Sequence, residues 1–130
     1  MTIFDTFYSY ASSQQDIILL NSVKGQYLNF DKGNLHFYFY SDASVDPYYF
    51  RIMLPVIERI TETNRSEVER RCVAATTNIK VGKATIIGDA VWFSAEQFLY
   101  DYSNTQYTGL LFDRLIIVLQ TMLDNYNTIN

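Results

Sequence analysis

The sequence predicts a single α+β domain in which an antiparallel sheet of about five strands carries helices packed on it. Two pairs of β-rich segments are each joined by a glycine-containing turn, which is typical of hairpins. Three further segments carry apolar residues at helical spacing. The chain has 130 residues, the length of one ordinary domain. We therefore predict that residues 1–130 form one domain with two hairpin groups and the order α-β-β-β-α-β-β-α.

The first predicted helix spans about residues 2–13. Its apolar positions share one helical face and are Ile3, Phe4, Phe7, Tyr8 and Ala11. The following stretch, residues 16–23, could extend this helix or form a strand, and its pattern does not decide between them.

The first hairpin joins Tyr27–Phe30 to Asn34–Tyr40 through Asp31-Lys32-Gly33. Side chains alternate between the two faces of a strand. In the second strand Leu35, Phe37 and Phe39 are expected to face the core. The opposite face then receives His36, Tyr38 and Tyr40.

A third strand is predicted over residues 48–54, after a loop over residues 41–47. Pro55 has no N–H to donate, so it must lie at an edge, a bulge or the end of this strand. Residues 56–62 could prolong a bent strand or begin a helix. The central helix is predicted over residues 66–78.

A capping box over Ser66-Glu67-Val68-Glu69 is predicted to start this central helix. Its apolar stripe consists of Val68, Cys72, Ala75 and Ile79. The second hairpin pairs residues 79–87 with residues 90–98 around Gly88-Asp89.

The strongest helical pattern covers residues 110–126, after a polar loop over residues 101–109. One face carries Leu111, Leu115, Val118, Leu119, Met122 and Tyr126. A helix this apolar needs cover on more than one side. Leu111, Leu115, Leu119 and Met122 are accordingly predicted to lie either in the core or in a dimer interface.

Composition and charge limit which partners the protein can bind and in which compartment it is expected. The net charge of −4 repels a phosphate backbone and an anionic membrane surface, so neither nucleic acid nor membrane is an expected partner. The single cysteine excludes an internal disulfide. Residues 1–15 lack a basic segment followed by a long apolar one, so we expect a cytoplasmic protein.

The sequence contains few residues able to perform catalysis. His36 is the only histidine and is interpreted as a surface residue, whereas Cys72 lies on an apolar helical stripe where burial raises a thiol pKa. Asp42 and Asp46 lack the glycine and distal glutamate of a calcium loop. A carboxylate group near the start of the central helix is interpreted as structural: Glu58, Glu62, Glu67 and Glu69. We expect no catalytic residues, no metal and no cofactor, and hence no enzyme.

The tyrosines Tyr38, Tyr40, Tyr48 and Tyr49 are the candidate partner-binding residues. Tyrosine is enriched in protein interfaces because it buries a large area and keeps a polar hydroxyl. They could equally form a second sheet face that the protein's own helices cover.

Three segments carry a family resemblance: Tyr49 to Pro55, Ile79 to Ala84 and Val91 to Glu96, with Asn78 at the junction between helix and strand. In their order and texture, over about residues 26–125, they resemble the YbjN-like family, whose fold is similar to that of type III secretion chaperones. The resemblance implies a small acidic homodimer that binds an extended segment of a partner protein, and it implies no catalytic residues.

Two functions follow as hypotheses. The first is a non-catalytic, chaperone- or adaptor-like protein-binding module that acts as a homodimer and contacts its partner through its sheet or final helix. The alternative is a small-molecule-binding protein or small enzyme, which would need a closed tyrosine-lined pocket with a polar group such as His36 or Arg51.

Overall fold

The computed structural model describes residues 1–129, which form one antiparallel sheet of six strands and three α-helices. The elements are α1 (Ile3–Ser13), β1 (Ile17–Val23), β2 (Tyr27–Lys32), β3 (Leu35–Tyr40), β4 (Tyr49–Arg59), α2 (Arg65–Thr77), β5 (Gly82–Ile87), β6 (Ala90–Phe98) and α3 (Thr105–Thr128). The α+β class is confirmed. The sheet has six strands rather than about five because the undecided stretch after α1 forms β1, and the strands lie in the order β1-β2-β3-β4-β6-β5.

The capping box of this fold lies on α1 and not on α2. The Thr2 hydroxyl accepts a hydrogen bond from the Asp5 N–H at 3.2 Å, and the Asp5 carboxylate accepts one from the Thr2 N–H at 3.0 Å. The prediction of a capping box at Ser66 is wrong, because α2 already begins at Arg65. The N-cap of α2 is Asn64, whose side chain instead accepts from the Thr61 N–H in the preceding turn.

The helices pack on one face of the sheet, and an aromatic core fills the space between them. The ring of Phe7 on α1 stacks on Phe39 of β3 with centroids 4.0 Å apart. On α3, Phe112 meets Phe50 of β4 edge-on at 5.4 Å. Phe37 and Phe39 are fully buried, as the alternation in this strand predicts.

The β4 strand contains a bulge at Pro55. Although β4 is an internal strand between β3 and β6, its register with β6 shifts between Leu54 and Glu58. Val56 adopts a positive φ of 52° at this point. A bulge frees a proline from the ladder, so the strand continues to Arg59 instead of giving way to a helix.

The final helix is longer than its apolar pattern predicts, because Asn104 caps it by accepting from the Tyr107 N–H at 3.1 Å. Leu115, Leu119 and Met122 are buried in the core, and Leu111 is half-buried. Gly82 leaves room for this packing, since a Cβ atom there would overlap Met122 Sδ.

On the central helix Val68, Cys72 and Ala75 are buried, as the predicted stripe requires. Ile79 packs against the core from beyond the helix end at Thr77. The second hairpin forms around Gly88 as predicted, although β5 begins at Gly82.

Candidate functional site

One face of the sheet carries no helix in the part of the chain that the structure describes. The strand registers place Tyr38, Met53 and Ser94 in one row across this face, and Tyr40, Arg51 and Glu96 in the next. We call this surface the open face. Its residues, taken from β2, β3, β4, β5 and β6, are Tyr27, Asn29, Asp31, His36, Tyr38, Tyr40, Tyr49, Arg51, Met53, Lys83, Trp92, Ser94, Glu96 and Phe98.

Stacked aromatic rings cover the middle of the open face. Tyr27 and Tyr38 stack with centroids 5.4 Å apart. The Arg51 guanidinium lies 4.9 Å from the centre of the Tyr40 ring, a cation–π geometry. Tyr38 and Tyr40 are only half-buried, and desolvation by neighbouring strand residues raises the pKa of Tyr38.

A charged group occupies the next positions along the open face. Both the Tyr49 hydroxyl and the Lys83 ammonium donate hydrogen bonds to the Glu96 carboxylate. These bonds, that of Lys83 first, lower the pKa of Glu96. Burial, followed by the bond to Glu96, raises the pKa of Tyr49 to about 12. The carboxylate is therefore fixed in its ionised form by its neighbours.

Arg51 has fewer hydrogen-bond and ion-pair partners than Glu96. It lies opposite Glu96 in the register, but it forms no ion pair within residues 1–129. Its Nε atom is buried and has no hydrogen-bond acceptor in the described part of the chain. The open face thus contains a buried donor whose hydrogen bond is not made within residues 1–129.

At one end of the open face, three exposed aromatic residues form what we call the aromatic cluster: Tyr48, Phe98 and Tyr100. Phe98 and Tyr100 stack at 6.2 Å, and Tyr48 approaches Tyr100 at 5.3 Å. Their exposed fractions are 44% for Tyr48, 57% for Phe98 and 73% for Tyr100. Large apolar side chains grouped at such exposure are typical of an interaction surface.

The structure brings three of the four predicted partner-binding tyrosines onto the open face: Tyr38, Tyr40 and Tyr49. The fourth, Tyr48, precedes β4 and belongs to the aromatic cluster instead. Sequence reasoning missed Phe98 and Tyr100, although Phe98 alternates in phase with Glu96 along β6.

The nearest feature to a tyrosine-lined pocket is a shallow depression of about 250 Å³ beside Tyr40, Tyr49 and Arg51. It is smaller than typical ligand sites, which run from roughly 300 to 1,000 Å³. Its acidic lining residues are engaged in the loop, where Asp42 accepts from the Ser44 N–H at 3.0 Å and Asp46 from the Tyr48 N–H at 2.9 Å.

His36 does not line this depression. It is exposed on the open face, where its Nδ1 lies 2.8 Å from Asp31. Cys72 belongs to α2, on the other side of the sheet, and its side chain is buried on the inner face of this helix. Burial there raises the pKa of its thiol. The histidine and the cysteine are therefore not brought together. In residues 1–129 no group of three or more His, Cys, Asp or Glu side chains is placed to hold a metal ion.

Glu58 corrects one prediction, because it does not lie near a helix start. It belongs to β4 and faces the helices, where it accepts a hydrogen bond from the Tyr126 hydroxyl at 2.5 Å and lies 3.7 Å from Arg71. The contact joins β4 to α2 and α3. Glu67 and Glu69 pair with arginines on their own helix.

Fold and surface together define an α+β domain with helices on one side of its sheet and an open, aromatic face on the other. None of the helices in residues 1–129 has both the length and the apolar character needed to cross a membrane. Comparison with protein-family models gives no match, and comparison with curated protein sequences gives none either.

Proposed function

We propose that this protein is a non-catalytic protein-binding module, chaperone- or adaptor-like, that acts as a homodimer and contacts a partner protein through its open face. The observation that carries the proposal is the aromatic cluster beside a sheet face that no described helix covers. Binding of another protein that covers these exposed rings lowers the free energy, because their apolar surface leaves water.

The aromatic cluster supplies the apolar part of the contact. Each of its three rings leaves close to half or more of its surface in water, even though the rings already touch one another. Because the rings are mutually ordered, little side-chain entropy is lost when a partner covers them. This combination is typical of residues that dominate binding energy.

The polar part of the contact centres on Arg51. Its buried Nε lacks an acceptor within residues 1–129, and Tyr40 and Tyr49 flank it. A carbonyl or carboxylate oxygen of the partner could pair with the guanidinium, whose five N–H donors are not all used within residues 1–129. An apolar segment carrying one such oxygen fits the surface better than a strongly charged one, since Glu96 and Lys83 already neutralise each other.

The edges of the sheet favour an extended segment as the partner's contact. Among residues 1–129, the edge strands β1 and β5 each have one side without a strand neighbour. A partner strand could pair with the backbone there while its side chains reach the adjoining open face. The resemblance to the YbjN-like family and to type III secretion chaperones points to the same kind of partner. Asn78, at the junction that carries the resemblance, is the C-cap of α2.

The test is affinity capture of the tagged protein from its own cells, read by mass spectrometry with three baits. They are the wild type, the double variant Phe98→Ser/Tyr100→Ser, and the control Val73→Ser. Val73 is exposed on α2, across the sheet from the open face, so its substitution removes exposed apolar surface without touching the cluster.

The proposal expects a stoichiometric partner that copurifies with the wild type and the control, and is at least tenfold depleted with the double variant. A partner retained equally by all three baits would place the contact elsewhere. Recovery of the protein alone, with crosslinking as well, would contradict the binding module. The comparison requires that the double variant is folded, as shown by an unchanged circular dichroism spectrum.

A further inference from the structure

The outer side of α3 carries an exposed ridge that its core contacts do not explain. Leu110 and Ile117 lie two helical turns apart on this ridge, with exposed fractions of 61% and 45%. Tyr107 extends the ridge at 53% exposed, and Arg114 lies between the two aliphatic residues. The buried residues of α3, such as Leu115 and Leu119, point to the opposite side of the helix.

Two adjacent opposite charges lie at the centre of this ridge. Arg114 is exposed and forms no ion pair within residues 1–129. Asp113 is half-buried and accepts a hydrogen bond from the Tyr10 hydroxyl through one carboxylate oxygen, Oδ1. A carboxylate has a second oxygen with its own lone pairs, so Asp113 retains capacity for another donor.

These positions are self-complementary under a two-fold axis. If two α3 helices lie antiparallel with the axis between Asp113 and Arg114, residues equally far from the axis come level with each other. Leu110 then faces Ile117 of the second copy, and Ile117 faces its Leu110. Asp113 faces Arg114 of the second copy, so two ion pairs flank the axis symmetrically. An isologous contact of this kind is the commonest way for identical chains to pair.

A groove beside the ridge provides room for the second copy's arginine. It lies between α1 and α3, has a volume of about 460 Å³, and is lined on one wall by Asp113. Ser9, Ser13 and Gly109 also line it, and their small side chains allow a neighbouring helix to approach closely. An arginine entering there would meet the Asp113 carboxylate beside the Tyr10 hydroxyl.

We propose that α3 forms an antiparallel, two-fold homodimer interface in which Leu110 packs on Ile117 and Asp113 pairs with Arg114 of the second copy. The inference rests on the dimeric part of the proposed function and gives that dimer a surface and a register. Because α3 lies on the side of the sheet opposite to the open face, the dimer leaves both open faces free for partners.

A charge-reversal pair tests this register directly. In Arg114→Asp, both ion pairs of the homodimer become carboxylate against carboxylate, and in Asp113→Arg they become arginine against arginine. Each variant alone is expected to dimerise at least tenfold more weakly than the wild type. Mixed together, the two variants restore both ion pairs in a heterodimer. The measurement is sedimentation velocity from about 1 to 200 μM of each variant, their equimolar mixture and the wild type, over the affinity range expected of a small interface.

The expected result is a dimeric wild type, a loss of at least tenfold in dimer affinity for each variant, and recovery in the mixture. Leu110→Ser should weaken the dimer similarly, whereas Val73→Ser, equally apolar and exposed on α2, should leave it unchanged. A dimer that survives Arg114→Asp, or a mixture that stays monomeric while both variants are folded by circular dichroism, would overturn this interface.

A dimeric wild type with unaffected variants would contradict this register but leave a homodimer through another surface. A monomeric wild type at every concentration would contradict the dimer itself. Binding of a partner to the open face is tested with different variants, those of Phe98 and Tyr100. The outcome of that test does not depend on whether the α3 dimer is found.

Discussion

Phe112 is the residue whose truncation tests the packing of α3 on the sheet most severely. Its side chain is fully buried, and its ring meets Phe50 at 5.4 Å, Phe7 at 5.0 Å and Tyr10 at 5.3 Å. The substitution Phe112→Ala removes one ring from the point where α1, α3 and β4 meet. It leaves a cavity that three other aromatic rings line.

The expected loss in the free energy of unfolding is about 3–5 kcal/mol, as for other buried phenylalanines. Edge-to-face pairs contribute roughly 0.5–1.5 kcal/mol each beyond area burial. Phe112 forms two such pairs, with Phe50 and Phe7, and a tilted contact with Tyr10, which place it at the upper end of that range. A domain of this size has a total stability of about 5–15 kcal/mol, so the loss is a large share of the total. The melting temperature should fall by about 10–20 °C.

The assay is urea unfolding of wild type and Phe112→Ala, followed by far-ultraviolet circular dichroism, with Leu110→Ala as the matched control. Leu110 lies on the same helix but is 61% exposed, so its truncation should cost under about 1 kcal/mol when unfolding is measured at a protein concentration that keeps the chain monomeric. A loss under about 1 kcal/mol for Phe112→Ala would refute the packing of α3 on the sheet. Equal losses for the two variants would refute the assignment of inner and outer faces.

Three further predictions concern backbone space, backbone strain and charge. Gly82→Ala should destabilise by about 1–3 kcal/mol in urea unfolding, because its Cβ would overlap Met122 Sδ. Val81→Gly should stabilise by about 1 kcal/mol in the same assay. Val81 is 56% exposed and has a φ of 75°, and relief of this strain outweighs the entropy that glycine adds to the unfolded chain. Glu96→Gln should destabilise at pH 7, and by progressively less as the pH falls below the unfolded pKa of a glutamate. The Lys83 and Tyr49 bonds lower the folded pKa of Glu96, so its contribution is present above the unfolded pKa and is lost as the pH falls through the folded one. An effect that stays constant as the solution is acidified would contradict this.

Much of the element order was predictable because it depends on local patterns. The alternation in β3 and the turn at Gly88 report directly on strand faces and hairpins. The strand β1 was undecided because Ile17-Ile18-Leu19-Leu20 is an unbroken apolar run, which strands and helices share. The cap of α2 was misplaced at Ser66 because the N-cap residue is Asn64, whose side chain accepts from the Thr61 N–H in the preceding turn instead of capping the helix.

The core and the surface were harder to predict where both faces of an element are apolar. On α3 the spacing of the leucines defined an apolar face that did not include Phe112, although Phe112 is fully buried next to Leu111. In β6 the run around Trp92 shows no alternation, and the structure places this ring on the open face, partly exposed. Trp92→Ala should consequently cost less than the ~3–5 kcal/mol of a core aromatic residue.

The open face itself was only partly predictable, because it depends on pairing between distant strands. Tyr38 and Tyr40 share a face through local alternation. Their neighbours Arg51 and Glu96 lie beside them because β4 pairs with β3 and β6 pairs with β4 in the observed registers. No local pattern reports that all three helices pack on the opposite face.

The most direct test of the central claim is hydroxyl-radical footprinting of the protein, free and in complex with its captured partner, read residue by residue with mass spectrometry. We predict that the partner reduces oxidation of Tyr48, Phe98 and Tyr100 by at least threefold and leaves Val73 on α2 unchanged. Unchanged oxidation of the aromatic cluster, with protection on a helix instead, would contradict the open face as the binding surface.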